Sequence, residues 1–141
     1  MKAATHGWLE SAKMDLDSIE FIKDQDYLTP VIAIHAQQAV EKSFKALLEE
    51  KELDVFKTHD IIFLFKKTLS IIQLETDIKI LQKLNELYID ARYPGEMGLL
   101  PEGKPSLRDA QGFYKLAKNI YDQVMHTLST SNSGFIQSSD R

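Results

Sequence analysis

The stretch Thr29–Glu50 (TPVIAIHAQQAVEKSFKALLEE) is the feature that most restricts how this chain can fold. Its apolar side chains share one broad face at 3.6 residues per turn, which predicts a long amphipathic helix. Thr29 is a favourable N-cap residue, and Pro30 suits the first helical position because its missing N–H has no partner there. The apolar face contains Ile32, Ala36, Val40, Phe44, Leu47 and Leu48.

Gln37 interrupts this apolar face, and Glu41 lies one turn further along at its edge. A buried polar group without partners costs about 1–3 kcal/mol, so polar groups from elsewhere in the chain should meet these two side chains. Two interpretations are open at this point. The partners form a structural hydrogen-bond network, or they belong to a ligand or a second subunit.

Length and composition indicate one ordinary globular domain, with 141 residues of which 43% are hydrophobic and 27% are charged. Cysteine is absent, which excludes a disulfide framework, a thiolate zinc site and a cysteine nucleophile. No apolar run approaches the roughly 20 residues that are needed to span a bilayer. The N-terminus lacks the apolar core of a signal peptide. We therefore expect a cytoplasmic protein with no membrane partner.

The formal net charge of −4 argues against a broad surface that coats nucleic acid. Five lysines nevertheless lie within one third of the chain, and they allow two interpretations. One is a local basic groove, and the other is a solvated helix face. These lysines are Lys42, Lys45, Lys57, Lys66 and Lys67.

Helical spacing and capping signals predict an all-α fold, an up-and-down bundle of four long helices with an additional short helix. The predicted helices cover about residues 5–24, 29–50, 59–72, 77–93 and 107–128. The N-caps predicted for the last three are Thr58, Thr76 and Ser106. Residues 1–128 form the single predicted domain, and the Ser-rich residues 129–141 are predicted to be a disordered tail.

The longest irregular stretch, RYPGEMGLLPEGKP, begins at Arg92 directly after the fourth predicted helix. Arg92 could bind a phosphate through both guanidinium N–H edges, and Tyr93 could stack on a base. Alternatively, Arg92 hydrogen-bonds the last carbonyl groups of its own helix or the nearby Asp90. Gln37 and Glu41 are the polar groups that would orient this arginine if the bundle brings them together.

The usual signatures of metal and cofactor sites are missing from the sequence. There is no HxxxH or HExxH pair, no phosphate-binding glycine loop and no serine-nucleophile elbow. We therefore expect no metal site and no cofactor.

Three segments, HAQQAVEKSFKALL, KTHDI and ARYP, together resemble the HEPN domain family, the higher eukaryote and prokaryote nucleotide-binding domains. The resemblance runs from about Trp8 to Leu128 in the order that the family has. It implies a small helical bundle, usually dimeric. It also implies either a metal-independent ribonuclease, often a toxin, or a protein encoded beside a minimal nucleotidyltransferase. Both this resemblance and a stripe of small side chains on the second helix (Ala36, Ala39, Ser43 and Ala46) lead us to expect a homodimer.

Ribonucleases of this family carry an arginine, then four to six residues, then a histidine that moves the proton of the ribose 2′-hydroxyl. Arg92 matches the arginine, but Met97, Gly98 and Leu99 occupy the positions of the histidine, and none can transfer a proton. His59 of the KTHD segment is the histidine that could replace it.

The resemblance and the residues together predict a non-catalytic HEPN protein, with no catalytic residue assigned. We expect it to bind a nucleotide or RNA phosphate through Arg92, Tyr93, Gln37, Glu41 and His59. We also expect it to act as the partner of a minimal nucleotidyltransferase in a toxin–antitoxin-like module. The alternative is a metal-independent HEPN ribonuclease, a toxin that uses a displaced histidine.

Overall fold

The computed structural model describes residues 1–91 and 103–139, with side chains described for residues 1–88 and 103–130. Over these residues the fold is all-α, as predicted, with five helices and no strand. A 3-10 turn at Asp26–Leu28 joins the first two helices. The helices are α1 (Ala3–Ile22), α2 (Thr29–Glu50), α3 (Ile61–Thr68), α4 (Ile78–Ala91) and α5 (Leu107–Ser139).

Helix α2 lies at the centre of the bundle and contacts each of the other four helices. Its predicted bounds are confirmed, and every member of its predicted apolar face is at most 1% exposed. The predicted N-cap is wrong, because Leu28 occupies the cap position and Thr29 is already helical. The reason is the preceding 3-10 turn, in which the backbone N–H of Thr29 donates to the carbonyl of Asp26. The buried hydroxyl of Thr29 donates instead to the carbonyl of Pro105, at 2.7 Å, which ties α2 to the start of α5.

Two of the other predicted N-caps are also wrong. Asp60 caps α3 by accepting from two backbone N–H groups at 3.1 and 3.0 Å, and Asp77 caps α4 at 3.0 and 3.2 Å. A carboxylate at this position also interacts favourably with the positive end of the helix dipole, which a neighbouring hydroxyl cannot match. Thr58 and Thr76 therefore precede the caps, whereas Ser106 caps α5 as predicted, at 3.0 Å.

Two helix lengths differ from the prediction. Helix α3 ends at Thr68, where the N–H groups of Ile71 and Ile72 both turn back to the carbonyl of Thr68, at 2.9 and 3.1 Å. Helix α5 was predicted to end at residue 128 and continues to Ser139. No proline follows Pro105, so nothing in this sequence removes a helical hydrogen bond there. The division of the chain into a domain of residues 1–128 and a disordered tail stays a prediction.

The stripe of small side chains on α2 is entirely inside the protomer, since Ala36, Ala39, Ser43 and Ala46 are each 0% exposed. It allows the neighbouring helices to approach α2 closely. It is not a surface for a second copy of the chain, so our use of it as a reason for dimerisation was wrong.

Candidate functional site

Glu41 is the centre of a polar cluster in the middle of the bundle, and its side chain is only 5% exposed. Its Oε2 accepts from Lys45 Nζ at 2.9 Å, and its Oε1 lies 2.8 Å from His59 Nδ1. Lys45 is itself 7% exposed and lies 5.5 Å from the centre of the Trp8 ring. The buried carboxylate therefore has a buried ammonium as its counter-charge, which is the condition for keeping such a charge away from water.

His59 is held from two sides in the segment between α2 and α3. The Gln37 amide donates to the backbone carbonyl of His59 at 2.6 Å and lies 3.4 Å from Glu41 Oε1. The polar partners that Gln37 and Glu41 were predicted to need are thus present in the chain itself. A carboxylate can only accept, so the hydrogen lies on Nδ1 of His59 and the lone pair of the neutral ring lies on Nε2.

Nε2 of His59 has no hydrogen-bond partner among the described residues, and the side chain is 42% exposed. A ring nitrogen in this state can accept a proton, and once protonated it can donate to an anion. The arrangement is that of a histidine whose orientation is fixed by a buried acid while its side chain stays partly exposed.

Tyr88, in the last turn of α4, adjoins this histidine, and sequence reasoning missed it. Its ring centre lies 5.7 Å from that of His59 at an interplanar angle of 57°, and its hydroxyl accepts from Gln38 at 2.8 Å. The sequence showed only a tyrosine at the spacing of an apolar stripe, which is typical of a core residue.

Arg92 and Tyr93 lie outside the described residues, and so does the rest of their loop up to residue 102. The structure therefore gives no geometry for either residue. The described part of α4 ends at Ala91, about one helical turn after Tyr88 and directly before Arg92 in the sequence.

A second histidine is paired with an acid on another face of α2. Asp15 of α1 lies 2.9 Å from His35 Nδ1 and 2.7 Å from Lys42 Nζ, both on α2. Lys42 and Lys45 are thus both used in ion pairs, which leaves only Lys57, Lys66 and Lys67 of the lysine group without an acidic partner in the described structure.

A shallow cleft of about 250 Å³ separates α1 from α5. At its edge the Tyr114 hydroxyl donates to the Glu20 carboxylate, which lowers the pKa of Glu20, and Lys23 acts in the same direction. Burial raises the pKa of Tyr114, and the hydrogen bond to Glu20 adds to the effect. The lysines of this cleft, Lys13 and Lys118, are paired with acids one turn away, so the cleft offers no free charge to a ligand.

The HEPN domain profile matches residues 5–127, nearly the whole of the helical bundle. The chain belongs to the HEPN domain family. This membership supports a general role connected with nucleotides or RNA. No group of three or more His, Cys, Asp or Glu side chains in the described residues is arranged to hold a metal ion. None of the described helices combines the length and the apolar character needed to cross a membrane.

Two solved structures are similar to this HEPN chain. One is ST0689, described as an archaeal HEPN homologue, with 26% identity and a TM-score of 0.62, covering 89% of this chain and 97% of the other. The second is TT1696 from Thermus thermophilus, with 23% identity and a TM-score of 0.68, covering 89% and 99%. The second likeness supports the fold alone. No curated protein matches this chain significantly.

Proposed function

We propose that this HEPN protein binds a nucleotide or an RNA phosphate at the polar cluster around His59, without cleaving it. One observation carries the proposal: His59 is fixed by the buried Glu41–Lys45 pair, its side chain is 42% exposed, and its Nε2 has no partner in the described structure. Gln37 holds the backbone of the same residue. A protonated Nε2 donates a charge-assisted hydrogen bond to a phosphate oxygen, the stronger kind of hydrogen bond.

In this proposal Arg92 and Tyr93 complete the site from the loop that follows α4. The guanidinium of Arg92 binds phosphate oxygens in pairs, and the ring of Tyr93 stacks on a base. The positions of the family's catalytic histidine are occupied by Met97, Gly98 and Leu99, which is the reason for proposing binding rather than cleavage. The protein would act in the cytoplasm as a homodimer. Its partner would be a minimal nucleotidyltransferase, in a toxin–antitoxin-like module.

Direct binding measurements test the proposal. The affinity for ATP and for a short fluorescent RNA should fall at least about tenfold, or about 1.4 kcal/mol, in Arg92→Ala and in His59→Gln. His6→Gln is the matched control, because His6 is an exposed histidine near the start of α1, and it should bind as the native chain does. Unchanged binding in both site variants would refute the proposal. Copurification with a nucleotidyltransferase encoded beside this chain would support the proposed partner.

The second candidate is a metal-independent ribonuclease, and the His59–Glu41 contact specifically favours it. A neutral histidine with its lone pair on Nε2 is suited to accept the proton of the 2′-hydroxyl, and general-base help of this kind is typically worth about 10²–10⁴-fold. Incubation with RNA in the presence of a chelator decides between the candidates. Cleavage that leaves 2′,3′-cyclic phosphate ends and is lost in His59→Gln would establish the ribonuclease. RNA that is bound by the protein but stays uncleaved would support the non-catalytic proposal.

A further inference from the structure

Two phenylalanines and a lysine form a compact group at the surface of α3. The rings of Phe56 and Phe63 are 4.9 Å apart and nearly perpendicular, at 89°. Lys67 Nζ lies 5.5 Å from the first ring centre and 5.2 Å from the second. Phe63 is 36% exposed although it is a large apolar residue. We call Phe56, Phe63 and Lys67 the α3 aromatic–lysine cluster.

The surroundings of this cluster are basic although the chain as a whole is acidic. Lys57, Lys66 and Lys67 are all exposed, and none makes an ion pair with an acid among the described residues. Asp60 already accepts from the first turn of α3 and from the Asn85 amide at 3.0 Å, and the exposed Asp54 makes no ion pair with these lysines in the described structure. These three lysines therefore have no acidic partner in the described structure, in a protein whose formal net charge is −4.

Phe56 lies in the same short segment as His59, between α2 and α3, whereas Phe63 and Lys67 lie on α3 itself. The N–H of Thr58 donates to the carbonyl of Phe56 at 3.0 Å, which makes a tight turn between the cluster and the histidine. Even a fully extended chain of three residues spans no more than about 11 Å, so the Phe56 and His59 backbones are at most that far apart. A strand of several nucleotides bound at His59 is therefore long enough to reach Phe56, and Phe56 contacts Phe63 and Lys67.

We propose that the α3 aromatic–lysine cluster, together with Lys57 and Lys66, binds a single-stranded nucleic acid that continues from the phosphate at His59. Bases stack on aromatic faces in a way that tolerates any sequence, and lysines beside them hold the backbone phosphates. Taking this strand to be RNA rests on the proposed function. The ligand of the site at His59 would then be an oligonucleotide and not a mononucleotide.

The test compares a 12-nucleotide single-stranded RNA with ATP as the short probe. Phe63→Leu and the triple variant Lys57→Gln, Lys66→Gln, Lys67→Gln should each weaken 12-mer binding about tenfold while ATP binding stays unchanged. In the triple variant the slope of log affinity against log salt should fall by about 0.7 for each phosphate that the protein no longer neutralises. Lys115→Gln, which removes an exposed lysine on α5, is the matched control and should have no effect.

The two proposals fail in different ways. If the 12-mer binds and depends on the cluster but His59→Gln and Arg92→Ala leave its affinity unchanged, the proposed phosphate site at His59 is wrong, whereas binding of the strand at the cluster stands. The inference is overturned if native protein does not bind the 12-mer, or if Lys115→Gln weakens binding as much as the triple variant. It is also overturned if correctly folded Phe63→Leu and Lys66→Gln bind as the native chain does, since the lysine–ring contacts then serve the fold alone. Lys66 lies outside the ring contacts, so its replacement tests binding without disturbing them.

Discussion

The chain uses the same three groups twice, on two different faces of α2, with different consequences. In both places a histidine Nδ1 meets one oxygen of a carboxylate and a lysine meets the other, at 2.8 and 2.9 Å around Glu41 and at 2.9 and 2.7 Å around Asp15. The acid differs in its setting. Glu41 and Lys45 lie one turn apart on α2 and are 5% and 7% exposed, whereas Asp15 and Lys42 belong to different helices and are 10% and 20% exposed.

These different settings give the two histidines different roles. His35 stands on α2 itself and joins with Lys42 to connect α2 to α1, so that pair stabilises a contact between two helices. His59 stands in the irregular segment before α3 and is brought to the site by Glu41 and Gln37. The buried Glu41–Lys45 pair thus holds a histidine of an irregular segment in place, and the more exposed Asp15–Lys42 pair stabilises the packing of α1 on α2.

Removing the acid should have the largest effect and should separate the two pairs most clearly. Glu41→Gln leaves the ammonium of Lys45 buried without a counter-charge, so the free energy of unfolding should fall by about 3–5 kcal/mol. Asp15→Asn leaves a more exposed lysine, and should cost about 1 kcal/mol. Urea unfolding measures both. Replacing Glu41 and Lys45 together by Met should recover most of the loss, and a cost below about 1 kcal/mol for Glu41→Gln would mean that the pair is not buried as described.

Replacing each histidine by glutamine should separate their roles in binding. His59→Gln should weaken binding of a short RNA about tenfold, or about 1.4 kcal/mol, because Nε2 is removed from the site. His35→Gln should leave the affinity unchanged, since that ring supports only the contact between α1 and α2. Fluorescence anisotropy at constant salt gives both values. An equal loss of RNA affinity in the two variants would contradict the different roles given to His59 and His35.

Tyr88→Phe tests whether the neighbour of His59 stabilises the fold or contacts the ligand. The variant keeps the ring near His59 but removes the hydroxyl that accepts from Gln38, so stability should fall by about 0.5–1.5 kcal/mol. Thermal unfolding monitored by circular dichroism would detect this change. A loss of RNA binding as large as that of His59→Gln would instead assign the hydroxyl a direct contact with the ligand.

The smallest expected effect concerns an acid that has a tyrosine rather than a histidine as its partner. The hydrogen bond from Tyr114 lowers the folded-state pKa of Glu20 below its ordinary value of 4.5. A lowered pKa means that the contribution is fully present above that ordinary value and is lost as the pH falls through the folded pKa. Tyr114→Phe should therefore flatten the loss of stability below pH 4.5, measured by urea unfolding at several pH values. An unchanged pH profile would contradict the contact.

How much of this the sequence could predict depends on the range of the interactions. The bounds of α2 followed from local spacing, and the need of Gln37 and Glu41 for polar partners followed from their place on an apolar face. That His59 would meet Glu41 could not be read from the sequence, because the contact joins residues 18 positions apart through a turn whose geometry no motif specifies. Tyr88 stayed hidden because a tyrosine at helical spacing looks like a core residue.

The capping errors have a similar cause. Thr58 and Asp60 are both good N-cap residues, and only the three-dimensional path of the chain decides which one meets the free N–H groups of α3. The sequence also could not show which of the five lysines make ion pairs. Lys42, for example, meets Asp15 only because α1 packs against α2.

The most direct test is to follow the ring nitrogens of His59 and His35 by nitrogen-15 NMR while a short RNA is added to the native protein. Before addition, both rings should carry their hydrogen on Nδ1, since each Nδ1 faces a carboxylate at 2.8 or 2.9 Å. On binding, the Nε2 resonance of His59 should move while that of His35 stays in place. If RNA binds and only the His35 resonance moves, or neither moves, the site does not lie at His59.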